Sequence, residues 1–209
     1  VRKRRKKIVD DKRKLVRTGY NLCAQKYSSK RERYKTQKYL ENLKQLLVKE
    51  AKILDAGCGS GIPIDKYLLE EGFNVSGIDI SKEQIKLAKK NLPQGNFLVK
   101  DMGEVEFPAN SFDAIVSFYA IFHIPRDEHP ALLKKLYNLL KPDGYLLITM
   151  GSTSWEGTAE NFHGVKMFWS HYGAAKNKQL IKQAGFEIIV EKIDTSGGER
   201  HLVILAKKN

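Results

Sequence analysis

The chain has 209 residues, 42% of them hydrophobic, with aromatic residues spread along its length. That composition belongs to a globular domain with its own core and excludes a disordered or fibrous chain. No apolar run approaches the roughly 20 residues of a membrane span, and the basic N-terminus lacks the apolar stretch of a secretory leader. Two cysteines, Cys23 and Cys58, make no disulfide framework and read as a reducing, cytoplasmic setting.

The net charge of +13 is local. Residues 1–38 hold 16 Lys/Arg against 3 Asp/Glu, and the other 171 residues hold 21 of each sign. Residues 1–38 therefore read as a basic N-terminal arm and the start of a first helix, and residues 39–209 as the domain body. Blocks of like charge are usually solvated, and sometimes bind polyanions.

Residues 1–17 read as a mobile or helical basic arm. Residues 18–50 read as helix, with Tyr39, Leu40, Leu43, Leu46 and Leu47 at helical spacing. Then the period changes. Lys52–Asp55 is an apolar strand entering Gly57-Cys58-Gly59-Ser60-Gly61, and Ile62–Glu71 returns to helical spacing. Phe73–Ile80 is a second strand. Ser81 with Gln84 three residues on is a capping box opening the next helix. Asn96–Lys100 and Phe112–Phe118 are strands three and four. Leu132, Leu133, Leu136, Leu139 and Leu140 mark a helix, and Lys141-Pro142-Asp143-Gly144 a turn. Tyr145–Met150 is strand five. Residues 151–176 read as irregular and aromatic. A helix over Lys178–Ala184 stops at Gly185. Phe186–Ile193 and Arg200–Ala206 then form a hairpin-like pair across Ser196-Gly197-Gly198.

Alternating strands and helices predict an α/β, doubly wound, Rossmann-like sheet of seven strands, mostly parallel, with helices on both faces. The closing hairpin requires its last strand to run antiparallel. Ligands of such sheets sit beyond the carboxyl ends of the strands, at the switch point, where the glycine loop lies.

Three acids mark that end of the sheet. Asp55 stands two residues before the first glycine, and a carboxylate there suits a cationic ligand and opposes a pyrophosphate. The loop spacing is Gly-x-Gly-x-Gly, not the Gly-x-Gly-x-x-Gly of dinucleotide binders, which disfavours a nicotinamide oxidoreductase. Asp79 ends strand two, 18 residues after Gly61, where a carboxylate can accept from ribose hydroxyls. Asp101 ends strand three, followed by Met102, a pair able to meet an adenine edge and face.

In series these motifs resemble the class I S-adenosylmethionine-dependent methyltransferases, from about Tyr20 to the C-terminus. The likeness extends to Ser111–Ser117, Phe122-His123-Ile124-Pro125 and Leu140-Lys141-Pro142-Asp143-Gly144, and is closest to the ubiquinone/menaquinone-biosynthesis type and its small-molecule relatives. The resemblance implies S-adenosylmethionine as cofactor, leaving as S-adenosylhomocysteine. It implies that Gly57, Cys58, Gly59 and Gly61 shape the methionine and ribose site, with Asp55 near the ammonium. Asp79 would hold the ribose, Ile80 would pack on adenine, and Asp101 and Met102 would bind its edge and face. Ser117 and Phe118 would border the methyl group. Tyr27, with Tyr20 on the first helix, would meet the cofactor carboxylate. The chain departs from the family at Val105-Glu106-Phe107, at Phe122-His123 where paired histidines are frequent, and at Asp143; none of these touches the cofactor motifs.

His123, just beyond strand four, is the candidate catalytic base. The aromatic segment 151–176 reads as an acceptor lid, with Tyr119, Phe122, Phe168, Trp169 and His171 as expected acceptor contacts. His163 and His171 lack metal-ligand spacing, so no metal is expected. The expected function is methyl transfer to a small-molecule acceptor. The alternative is an RNA- or protein-directed methyltransferase that uses the basic arm.

Overall fold

The structure, a computed structural model, describes residues 2–29 and 35–209. Seven strands form one sheet: β1 (Lys52–Ala56), β2 (Asn74–Asp79), β3 (Asn96–Val99), β4 (Phe112–Ser117), β5 (Leu140–Gly151), β8 (Phe186–Asp194) and β9 (His201–Lys208). Their order is β3-β2-β1-β4-β5-β9-β8. The first five pair in parallel, and β9 lies antiparallel between β5 and β8. This is the expected doubly wound sheet with its antiparallel last strand. The chain leaves β1 toward β2 on one side and reaches β4 on the other, so the switch point lies at the carboxyl end of β1.

Side-chain alternation along the strands divides the core between the two faces. On β4, Ile115 packs on one side while Ala114 and Val116 pack on the other; on β5, Leu146 and Ile148 oppose Leu147. The first side is covered by α5 (His129–Leu139) and α6 (Ala174–Ala184), the second by α2 (Gln37–Lys44) and α3 (Ile64–Glu70). Helix α4 (Lys82–Asn91) is capped by Ser81, whose Oγ accepts from Gln84 N at 3.2 Å. The return half of the capping box is not made. Gln84 Oε1 instead accepts from Ser28 Oγ, and its amide nitrogen is buried.

The first expected helix divides. α1 runs Arg2–Ser28 and α2 begins at Gln37; residues 30–34 of the expected continuous helix lie outside the described residues. The charged arm is thus backbone-continuous with the helix bearing Tyr20 and Tyr27. Segment 151–176 also differs from expectation. Most of it is an antiparallel hairpin, β6 (Trp155–Phe162) and β7 (Val165–His171), whose register shifts between Ala159 and Phe162. His163 and Gly164 turn it with φ of 53° and 95°, the paired positive values of a tight hairpin turn. α1 packs on this hairpin through Val16, Tyr20 and Cys23 against Met167 and Phe168. The expected turn at 141–144 survives as a bulge within β5, where the register jumps from Phe112–Leu140 to Ala114–Tyr145.

Candidate active site

The loop after β1 is pinned to β2 before any ligand arrives. Gly57 N and Cys58 N both donate to Ile78 O, at 2.8 and 3.0 Å. Gly57 has φ +96°, and a Cβ there would stand 2.3 Å from the Ala120 methyl and 3.2 Å from Met102 Cε. Only glycine serves at such a position. Asp79 braces the same loop: Oδ2 accepts from Gly59 N at 3.0 Å and Oδ1 from Ser81 N at 2.8 Å. One carboxylate therefore fixes both the glycine loop and the start of α4.

Around this loop opens a cleft. Of the residues expected at the cofactor, Tyr27, Gly57, Cys58, Gly59, Asp79, Ile80, Asp101, Met102 and Phe118 line it. Three others stand behind the wall. Ser117 is buried and donates from Oγ to Ala56 O at 2.7 Å, tying β4 to β1 beneath the loop. Gly61 turns the chain into α3 with φ +78° against Leu92 and Phe97. Asp55 is buried under the loop. Burial, reinforced by Asp65, Asp79 and Asp55, pushes the Cys58 thiol well above its ordinary range, so it sits in the wall as a neutral, unreactive group.

Across the cleft lies α1. Arg13, Val16, Tyr20 and Tyr27 all face it. Arg13 reaches Asp101 Oδ2 at 3.1 Å, Glu104 at 3.1 Å and Glu128 Oε2 at 2.6 Å. Asp101 Oδ1 accepts from Gly103 N at 2.8 Å. Burial opposes the Arg13 charge, but Glu128, Asp101 and Glu104 outweigh it and raise the guanidinium above its usual value. Sequence reasoning missed Arg13: within a run of like charges nothing distinguishes the one side chain that turns inward.

His123, the expected base, is on the cleft wall in a short 3₁₀ turn (Ile121–His123). Both ring nitrogens are engaged. Nδ1 lies 2.7 Å from Phe168 O and Nε2 lies 2.7 Å from the Tyr20 hydroxyl. A carbonyl only accepts, so Nδ1 carries the hydrogen and Nε2 accepts from Tyr20. Burial is the main influence on the imidazole and lowers its pKa to about 4, so the ring is neutral. Tyr20 and His123 both line the cleft.

Of the expected acceptor contacts, Tyr119 is on the wall with φ +59°. Phe122, Phe168, Trp169 and His171 are not; they form a layer behind His123. The Phe122 ring stacks on His201 at 5.6 Å. Phe168 is buried under Lys12 and supplies the carbonyl that orients His123. The Trp169 ring lies 5.4 Å from that of His123, and His171 Nδ1 is bonded to Thr153 O. The hairpin thus backs the His123 side of the site. Lys100, Gln84 and Ala120 also line the cleft without having been expected at the site.

Comparison with known proteins agrees with this architecture. The family described as "Methyltransferase domain" matches residues 54–148, which span the glycine loop, Asp79, Asp101 and His123. The chain is 33% identical over 147 residues to phosphoethanolamine N-methyltransferase 3 of Arabidopsis thaliana, covering 66% of this chain and 29% of that protein. It is 29% identical over 221 residues to the ubiquinone/menaquinone biosynthesis C-methyltransferase UbiE of Rickettsia bellii, covering 97% of this chain and 87% of that one. The chain spans less than half the length of the first curated relatives it matches, 29% of the Arabidopsis protein and 43% of a Plasmodium falciparum phosphoethanolamine N-methyltransferase. Among solved structures, a SAM-dependent methyltransferase of Methanosarcina mazei superposes with a TM-score of 0.71 at 25% identity, covering 80% of this chain and 96% of that one. A 1,6-didemethyltoxoflavin-N1-methyltransferase of Burkholderia thailandensis, with S-adenosylhomocysteine bound, shares the fold with a TM-score of 0.75 at 19% identity, covering 96% and 90% of the two chains. With the glycine loop, the strand-end acids and the sheet order all in place, the chain carries a methyltransferase domain over residues 54–148 and is similar in sequence and fold to S-adenosylmethionine-dependent methyltransferases.

Proposed function

We propose that the protein methylates a small-molecule acceptor held in the cleft between the glycine loop and α1. The observation that carries this reading is one cleft lined by the Gly57 loop, Asp79 and Asp101 together with Tyr20 and His123. The relatives named for phosphoethanolamine and for quinone precursors act on small molecules by their names, and support the same class of acceptor. In this reading the compartment is cytoplasmic, with Cys23 and Cys58 as free buried thiols.

The residues present fit the cofactor. The Gly57 cradle is one that a Cβ would fill, and the Asp79 carboxylate is set by two backbone donors at the cleft edge. Asp79 would hold the ribose hydroxyls, Asp101 and Met102 the adenine, and Tyr27 the carboxylate. Bound S-adenosylmethionine supplies a sulfonium methyl already activated for in-line displacement. The protein's task is then alignment and exclusion of water. Where the acceptor must lose a proton, Tyr20 Oη receives it and passes its own proton to His123 Nε2, whose orientation Phe168 O fixes. Tyr119 borders the acceptor, and the hairpin β6–β7 supports His123 from behind.

The test uses S-adenosylmethionine with a labelled methyl group, incubated with the protein and a lysate, followed by separation of small molecules, RNA and protein. An Asp79→Ala variant sets the background. Label in the small-molecule fraction is the expected result. Label confined to RNA or protein would overturn the reading and assign the basic arm to substrate binding.

A further inference from the structure

Behind the glycine loop, on the side away from the cleft, two carboxyl groups are packed together. Asp55 belongs to β1 and Asp65 to the first turn of α3; they are 1% and 0% exposed. Neither Asp65 oxygen receives a hydrogen bond from any donor group among the described residues. The group it meets is the Asp55 carboxyl. Asp65 Oδ2 lies 3.6 Å from where a Gly61 Cβ would stand, and Lys66 N donates to Gly61 O at 3.0 Å, so this turn of α3 is seated on the loop.

Two carboxyls in contact away from water cannot both ionise, and one keeps a proton. Asp65 is the one that keeps it: burial first, then Asp55, raise it well above the ordinary carboxyl range. The other titratable group facing it is the Cys58 thiol on the loop. Leu92 at the end of α4 and Phe97 on β3 close the site around Gly61 with apolar atoms. No lysine, arginine or histidine among the described residues acts on Asp65. Asp55 and Asp79 both act on Cys58, which lines the cleft, so the field of the Asp55 carboxylate reaches the wall.

We propose that Asp65 is a positioning residue for cofactor binding: as a neutral acid it donates a hydrogen bond to Asp55 and holds it as one oriented anion behind the glycine loop, where that charge attracts the ammonium group of S-adenosylmethionine. The inference rests on the cofactor reading above. It explains why a sequence that already has Asp55 places a second acid in the apolar face of α3. An ionised Asp65 would double the buried charge, and an apolar residue would remove this donor from the pair.

The experiment compares wild type, Asp65→Asn and Asp65→Leu by thermal melting without ligand from pH 5 to 9, and by calorimetric titration with S-adenosylhomocysteine. The folded wild type holds a proton that the unfolded chain releases above the ordinary carboxyl range. Its melting temperature should therefore fall as pH rises until Asp65 ionises. Asp65→Asn keeps the donor without the proton, so this fall should shrink. Its affinity for S-adenosylhomocysteine at pH 7 should stay within about threefold of wild type, while Asp65→Leu loses about tenfold or more. An undiminished fall in Asp65→Asn, or wild-type affinity in Asp65→Leu, would overturn the proposal. If Asp65→Leu does not fold, Asp65→Asn carries both readouts. Absence of S-adenosylhomocysteine binding by wild type would overturn the cofactor reading instead, and the ligand-free melting slope still reports where the proton resides.

Discussion

The Tyr20 hydroxyl lies 2.7 Å from His123 Nε2, joining α1 to the turn after β4 across 103 residues of sequence. The bond is buried, and the far nitrogen of the same ring is held by Phe168 O of the hairpin. Three separate segments thus meet at one imidazole. Removing either end should disturb chemistry more than cofactor binding. Tyr20→Phe and His123→Ala should each lower turnover by about 10²-fold if the acceptor loses a proton. Affinity for S-adenosylhomocysteine should change little. Calorimetry beside steady-state kinetics separates the two effects, and unchanged turnover in both variants would remove the pair from the mechanism.

Acid should destabilise the fold through two histidines. Burial is the largest influence on His123 and on His129, and brings both to about 4 from an ordinary 6.5. As pH falls through that window, the unfolded chain binds protons that the folded protein refuses, so the stabilising contribution present above 6.5 is progressively lost. His129 donates from Nε2 to Ile124 O, which a glutamine amide can replace. The melting temperature of His129→Gln should therefore decline less steeply with acid than that of wild type, as circular dichroism would record. Equal slopes would exclude His129 as a source of the acid sensitivity.

Gly57 tolerates no side chain. Alanine there meets both a positive φ and the Ala120 methyl. Backbone strain of this kind costs about 1–3 kcal/mol, before the overlap is relieved. Gly57→Ala should lose S-adenosylhomocysteine binding by about tenfold or more while the sheet remains folded. Gly72, with open space where its Cβ would be, provides a contrast: Gly72→Asn should leave binding unchanged.

Arg13 fastens α1 over the cleft. Its guanidinium and the Asp101 carboxylate are both largely buried, with side-chain exposures of 11% and 6%. Removing one partner of a buried ion pair costs about 3–5 kcal/mol, because the other charge is left uncompensated. Arg13→Met should therefore raise hydrogen exchange along residues 9–28 and speed release of S-adenosylhomocysteine. Exchange indistinguishable from wild type would show that the hydrophobic contacts of Val16 and Tyr20 suffice to hold the helix.

The sequence by itself determined the sheet and the glycine-loop side of the cleft. Ile53–Gly61, Gly77–Ser81 and Lys100–Met102 are short segments whose meaning is local: a strand period, a glycine that must take positive φ, an acid at a strand end. Each acts within a few residues of where it is written. Hydrophobic period also located the closing hairpin and its antiparallel strand.

Only the tertiary structure decided the opposite wall. Segment 151–176 reads as irregular because its alternation is masked: Trp155, Thr158 and Phe162 share a hairpin with glycine and exposed charge, and its ordering comes from Met167 and Phe168 packing on α1. That packing turns Arg13 toward Asp101 and Tyr20 toward His123, over separations of 88 and 103 residues. The proton on Asp65 is of the same kind. A lone acid in a helix carries no mark of its neighbour, and its state was set when α3 folded against β1 and brought two carboxyl groups together out of water.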